Sequence, residues 1–399
     1  MFELSSEKLD GRLVVTVSGS IDSGNADEFA AQLQQARLEH PGGGLEVNAE
    51  ELSYISSAGL RVLLKASKTE KSKVRLVGVN DTVYEILEQT GFNQIIEVRR
   101  APKEISVEGF TEMAKGATGK TLRVDDEVII KIYSGDGSLP LMEHEREMAR
   151  QAFVAGIPTA MPLEMVHTDQ GFGVFFGLGQ AETLSHAIAT APSDDEVERL
   201  GRVWGKLLKE IHGAEANVEA VPSAKDLYIS SMRMYSDKYL SPGEQEAIEG
   251  SLSAIPDVTT FLHGDPNPDN IMIHDGEPLI IDMAGTSHGH PIFDLSAIYV
   301  DCVTSNMSNP DATKSIYGIS KERMDLAFHA MMAEYFGTED GSKLKVKESM
   351  MAGFMAARLS YIAAYGNVPD EVRRQIFKNV ASVLDAFDAV VRTLDRFVD

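Results

Sequence analysis

The residues best placed to do chemistry lie between positions 261 and 285, in the stretch FLHGDPNPDNIMIHDGEPLIIDMAG. Asp265 follows a His-Gly pair, Asn270 comes five residues later, and Asp282 follows a second apolar run. Two short apolar runs, 271–274 and 278–281, flank Asp275-Gly276, a pair that favours a tight hairpin turn. Gly276 is six residues from Asn270 and six from Asp282. Pairing the runs about that turn brings Asn270 and Asp282 together at the open end of the hairpin, with Asp265 in the loop that enters the same end. One amide and two carboxylates converging in this way suit magnesium, a hard cation held by oxygen and shared with substrate phosphates. The chemistry such a set can do is phosphoryl transfer from ATP. Asp265 is the candidate catalytic residue, accepting the proton of an attacking hydroxyl, and Asn270 and Asp282 are the candidate metal ligands.

Such a site needs a cation for the phosphates and a backbone that approaches them closely. In VIIKIY, 128–133, Lys131 interrupts an apolar strand, where a lysine is costly to bury without an anionic partner. The helical stretch 142–159 offers Glu143, Glu145 and Glu147, and Glu147 is the expected partner. Upstream, AKGATGKT (114–121) differs by one residue from a P-loop. That motif needs a helix directly after it. Here LRV, two aspartates and EVIIKIY read as strand, turn, strand, so the P-loop is rejected. Gly116 and Gly119 instead read as a loop whose amides meet ATP phosphates.

With HGDPNPDN and IDMAG in view, the region from about 106 to 399 resembles the aminoglycoside phosphotransferase and choline kinase group, which shares the protein-kinase-like fold. HPIFDLSAIY (290–299) is similar to that group's FDLA segment, and GVFFGLGQAETLSHAI (173–188) to its hinge. The resemblance implies an N-lobe over about 109–178, a helical C-lobe over about 179–399, ATP and Mg2+ as cofactors, and a small-molecule hydroxyl as acceptor. Asp294 is expected to support the catalytic loop. Gly264 stands where most protein kinases have arginine, Asp282-Met283-Ala284 replaces DFG, and no APE segment follows. These departures point to a small-molecule kinase.

The first hundred residues alternate strand and helix patterns. LVVTV at 13–17, a short run at 45–47 and VRLVGV at 74–79 read as strands. Segments 25–40, 54–66 and 81–92 read as helices, the last with Asp81 as its cap. The order favours an α/β layer. GSID, YISSAGLRVLL and EILEQTGF resemble the STAS domains of anti-sigma-factor antagonists. In that family a serine at a helix start is phosphorylated by a partner kinase, and the matching residue is Ser57, preceded by Ser56. The alternative is that Ser57 is a helix cap. The expected architecture is an α/β STAS-like regulatory domain over 1–100, a linker over 101–108, and an α+β bilobal protein-kinase-like domain over 109–399 with a largely helical C-lobe.

The chain has 399 residues, a formal net charge of −24 and one cysteine, Cys302, so it builds no internal disulfide. The acidic balance disfavours nucleic acid and anionic membranes as partners. Neither a leader-like start nor a run of eighteen apolar residues is present, which makes the cytosol the expected location. Trp204, His212 and the many methionines after residue 320 read as packing residues. Three other functions compete. The His/Asp-rich stretch from His263 to His290 would suit a metal hydrolase, with His288 and His290 otherwise surface or pocket residues. The second half could bind nucleotide only, as a partner-switching module. Or the kinase half phosphorylates Ser57, and the STAS-like half docks a protein partner.

Overall fold

The computed structural model describes residues 1–9, 12–41, 44–69, 74–115, 119–134, 138–274, 276–365 and 368–397. The chain forms two compact units, Met1–Ile105 with Met165–His167, and Ser106–Glu164 with Thr168–Asp399.

In the first unit, β1 (Phe2–Leu9) pairs antiparallel with β2 (Arg12–Ile21). Beyond β2 lie β3 (Leu45–Asn48), β5 (Arg75–Val79) and β6 (Glu97–Arg100), all parallel, and β4 (Leu52–Ile55) also runs parallel to β2. The connections are α1 (Ala26–Glu39), α2 (Ser57–Thr69) and α3 (Asp81–Gln89). Alternation along β2 puts Leu13, Val15 and Val17 in the core, against Phe29 and Leu33 of α1 and Leu60 and Leu63 of α2. Asn80, not Asp81, caps α3: its side chain accepts from Val83 N at 3.0 Å, and Asp81 is already helical. A short strand, β7 (Lys103–Ile105), occupies part of the segment expected as linker.

The second unit opens with β8 (Thr111–Lys115), β9 (Gly119–Arg123) and β10 (Val128–Tyr133), antiparallel in sequence. Then come α4 (Ser138–Val154), β11 (Met161–Thr168) and β12 (Gly171–Gly177), and β12 pairs with β10. A strand, not a helix, therefore follows the P-loop-like residues. Asp125 Oδ1 makes the β9–β10 turn by accepting from Glu127 N and Val128 N at 2.8 and 2.9 Å.

The C-lobe holds two small sheets. β13 (Glu182–Thr183), β15 (Ile271–His274) and β16 (Glu277–Ile280) form one, and β14 (Phe261–Leu262) with β17 (Ser287–His288) the other. Around them pack α5 (Leu184–Thr190), α6 (Asp194–Gly213), α7 (Ala224–Tyr239), α8 (Pro242–Ser253) and α9 (Ile292–Tyr299). A π-helical turn, Val300–Thr304, continues α9 into α10 (Ser305–Ser308). Then follow α11 (Ala312–Tyr317), α12 (Lys321–Phe336), α13 (Gly341–Tyr365), α14 (Asp370–Ser382) and α15 (Leu384–Val391). Trp204, Cys302, Met324, Met331 and Met351 are buried core residues. Among the described residues no helix is long and apolar enough to cross a membrane.

His288 and His290 belong to this framework and not to a surface or pocket. His288 Nδ1 bonds Val258 O at 3.1 Å. His290 is 6% exposed; its Nε2 donates to Leu394 O at 3.2 Å, and its Nδ1 accepts from Ile292 N at 3.1 Å. Because Nδ1 must accept, this ring is neutral, and burial pushes its pKa down to about 4. The unfolded chain takes up that proton near pH 6.5 and the folded one does not. Stability from this group is thus present above pH 6.5 and lost on acidification towards 4, by about 3 kcal/mol. Thermal unfolding at stepped pH should show a shallower acid limb for His290→Gln than for the parent chain; parallel limbs would refute this role.

Candidate active site

The loop bearing Asp265 is held by buried groups of α6 and α9 and by the segment around Asp282. Asp294, near the start of α9 and fully buried, accepts from His263 N at 2.8 Å and Gly264 N at 2.7 Å. Burial alone would raise its carboxyl, but His212 at 3.2 Å and the His263 backbone outweigh that and hold it below the ordinary carboxylate range. From α6, Trp204 Nε1 donates to Pro266 O at 3.1 Å. His263 Nε2 bonds Ile281 O at 2.9 Å, tying the loop to the residue before Asp282. Gly264 has φ +89°, and a Cβ there would lie 2.2 Å from Gly285 O. An arginine cannot occupy this position without moving the loop.

The two runs pair as expected, with Ile271 opposite Ile280 and His274 opposite Glu277, which aligns Asn270 with Ile281, one residue before Asp282; Asp275 itself lies outside the described residues. Its open end is closed by Ile281 N donating to Asn270 O at 2.8 Å. Asn270 Nδ2 donates to Asp265 O at 2.8 Å and lies 3.4 Å from Asp265 Oδ2, while Asn267 Nδ2 donates to Oδ2 at 3.1 Å. Asp282 has φ 63°, the only positive φ at a non-glycine among the described residues, and such strain is often kept where a side chain must be aimed. The structure thus gathers Asp265, Asn270 and Asp282.

Lys131 joins them from β10, with Nζ 3.1 Å from Asp282 Oδ1 and 2.8 and 2.9 Å from the two carboxylate oxygens of Glu145. This corrects the expected partner, Glu147. Glu145 lies on the buried stripe of α4 with Met142, Met148, Ala149 and Ala152, and is itself 2% exposed. Glu147 points away and pairs with Arg150 at 2.7 Å and with Gln151. The three-and-four spacing of the apolar residues around Glu145 was the signal available in the sequence. Burial alone would lower the Lys131 pKa, but Glu145 and Asp282 outweigh it and raise it, so the ammonium stays charged.

These groups line one cleft of about 570 Å3. Ile129, Phe176, Leu178 and Met272 form its apolar part; Lys131, Glu145, Asn270 and Asp282 its polar end. Gly119 also lines it, but as the first residue of β9 rather than in a loop; Gly116 lies outside the described residues. The polar end fits magnesium. With its amide nitrogen given to Asp265, Asn270 keeps its carbonyl oxygen for a ligand, and the Asp282 side chain is 43% exposed. Both are hard oxygen donors.

Two residues near Asp265 escaped the sequence reading. Arg358, the single charge in the sixteen residues MMAGFMAARLSYIAAY of α13, donates to Gly264 O at 2.9 Å and to Asp265 Oδ1 at 3.1 Å. Asp301, in the π-helical turn, has its carboxyl pushed up to about 7 by burial and by Asp265, with Arg358 opposing. Its side chain has no hydrogen-bonding partner among the described residues.

The corrected pairing gives a direct test. Removing one partner of a buried ion pair is strongly destabilising to the charge left behind. Glu145→Ala should raise KM for ATP and lower kcat, together by roughly a hundredfold in kcat/KM. Glu147→Ala should stay within about threefold. The reverse order in steady-state ATP turnover would restore Glu147.

A family model described as the phosphotransferase enzyme family matches residues 109–315, and a STAS domain model matches residues 3–105. The putative anti-sigma factor antagonist BtrV of Bordetella bronchiseptica is 32% identical over 99 residues, 24% of this chain and 84% of that protein. An anti-sigma-B factor antagonist of Listeria monocytogenes is 30% identical over 95 residues, 23% of this chain and 82% of its own length. Among solved structures, the aminoglycoside phosphotransferase APH(2'')-Ib with ADP bound is 16% identical with a TM-score of 0.46, covering 76% of this chain and 98% of that one. A choline/ethanolamine kinase family protein from Mesorhizobium loti is 18% identical with a TM-score of 0.44, covering 72% and 93%. The chain belongs to the phosphotransferase enzyme family and carries a STAS domain ahead of its protein-kinase-like domain.

Proposed function

We propose that this phosphotransferase moves the γ-phosphoryl group of ATP, bound with Mg2+, to a hydroxyl of a small molecule. The observation that carries the reading is the convergence of Lys131, Asn270 and Asp282 on one cleft, with Asp265 joined to Asn270 through its amide. Lys131, kept charged by Glu145 and Asp282, steadies the phosphates. Asn270 and Asp282 would hold the metal, which would supply positive charge to offset that of the phosphates. Asp265 takes the acceptor's hydroxyl proton as the new O–P bond forms and ADP leaves. Most of the rate then comes from positioning and fixed charge. Most of the net charge of −24 falls within residues 106–399, which favours an acceptor that carries a cationic group. A reducing, cytosolic setting agrees with a buried, unpaired Cys302. The STAS domain serves regulation or docking of a protein partner.

One observation supports a second reading, in which the kinase domain phosphorylates its own STAS domain. Ser56 is the cap of α2, accepting from Gly59 N at 3.4 Å, so the exposed hydroxyl of the next residue, Ser57, is not spent on capping. A phosphate on it would be favoured by the helix N-terminus.

Asp265→Ala should lower ATP consumption in magnesium by about a hundredfold or more while a fluorescent ATP analogue still binds. Equal rates would end the enzymatic reading. In a screen of hydroxyl acceptors by ATP turnover, amine-bearing compounds should stimulate most. Mass spectrometry of the Ser57 peptide after incubation with ATP and magnesium decides the second reading: an unmodified peptide removes it.

A further inference from the structure

We propose that Arg358 is a positioning residue for the reaction, the clamp that holds the Asp265 carboxylate in its proton-accepting orientation. The inference rests on the assignment of Asp265 as the base. Arg358 comes from α13, beyond the 109–315 segment that the phosphotransferase family model matches. Its side chain is 7% exposed, against 46% for Asp265. One guanidinium nitrogen, Nη1, donates to Gly264 O at 2.9 Å, and the other, Nη2, to Asp265 Oδ1 at 3.1 Å. The fork therefore grips the backbone of the loop and its reactive side chain together, which a planar guanidinium does and an ammonium does not.

The geometry leaves Asp265 little freedom. Oδ1 is held by Arg358, and Oδ2 by Asn267 at 3.1 Å, with Asn270 at 3.4 Å. Without the arginine, a side chain exposed by nearly half is anchored at one oxygen only and can turn about its last torsion. The guanidinium cannot turn away. Its Cζ lies 5.7 Å from the Tyr361 ring centroid, Tyr361 stacks on Tyr228 at 4.6 Å, and Tyr228 in turn packs edge-on against Phe293 at 4.7 Å. The space beside them, bordered by Gly264 and Phe293, is about 10 Å3, at most one water. Arg358 also faces Asp301, so one buried cation offsets two neighbouring carboxylates that would otherwise repel each other.

A purely structural ion pair predicts loss of fold; a clamp predicts loss of kcat. The test uses the full chain, ATP with magnesium and water as acceptor, thermal unfolding, and a fluorescent ATP analogue. Arg358→Ala should lower kcat for ATP hydrolysis by about a hundredfold and leave KM for ATP within about threefold. Ethylguanidinium at millimolar concentration should restore part of that loss, and should do nothing for Asp265→Asn. Arg358→Lys, which keeps the charge but makes one bond of the two, should fall between and keeps the test open if the alanine variant unfolds. A kcat for Arg358→Lys and Arg358→Ala within twofold of the parent would overturn the proposal. So would a loss that tracks ATP binding and resists rescue. If Asp265→Asn turns over ATP at the parent rate, the base assignment fails first; if Asp265→Asn is inactive and the Arg358 variants are not, the clamp alone fails.

Discussion

One buried cation organises the catalytic domain. Lys131 Nζ lies within 3.1 Å of carboxylates from two other elements, Glu145 of α4 and Asp282 at the end of the hairpin strand. A lysine in the middle of an apolar strand is unfavourable alone, and so is a glutamate 2% exposed on a helix. Each is tolerable only because the other is there, and the pair is complete only when sheet, helix and hairpin meet. The interaction is therefore less a source of stability than a condition on geometry: it is satisfied in one arrangement of the two lobes and leaves unpaired charges in others.

The loop that carries Asp265 obeys a second constraint, the need to satisfy backbone groups in a sharp bend. Gly264 supplies the left-handed φ, and Asp294 takes two consecutive amide protons. Trp204 and Arg358 take carbonyl oxygens. Nearly every one of these partners is buried, so the loop is fixed by the interior of the C-lobe while the Asp265 side chain stays 46% exposed. Rigid support beneath an exposed side chain suits the proposed role of Asp265, since phosphoryl-transfer catalysis is chiefly positioning.

In the STAS domain the same economy appears on a smaller scale. Two adjacent serines at the start of α2 divide the work: Ser56 satisfies the helix terminus, and Ser57 remains exposed. A single serine would have to give up its cap in order to take part in any other chemistry.

Much of the site was legible from spacing alone, because a hairpin is local. Once Asp275-Gly276 marks the turn, strand geometry places Asn270 and Asp282 at the same end without reference to the rest of the chain. The strand after the P-loop-like residues and the α/β order of the first unit were legible for the same reason. What tertiary structure alone decided depends on the phase of helices and on contacts between residues far apart in the chain. Glu145 rather than Glu147 meets Lys131 because of how α4 is rotated against the sheet, and two residues along a helix is 200° around its axis. Arg358 reaches a residue 93 positions earlier, and His290 one 104 positions later. Those pairings follow from the packing of whole helices, where burial selects the partner and sequence distance carries no information.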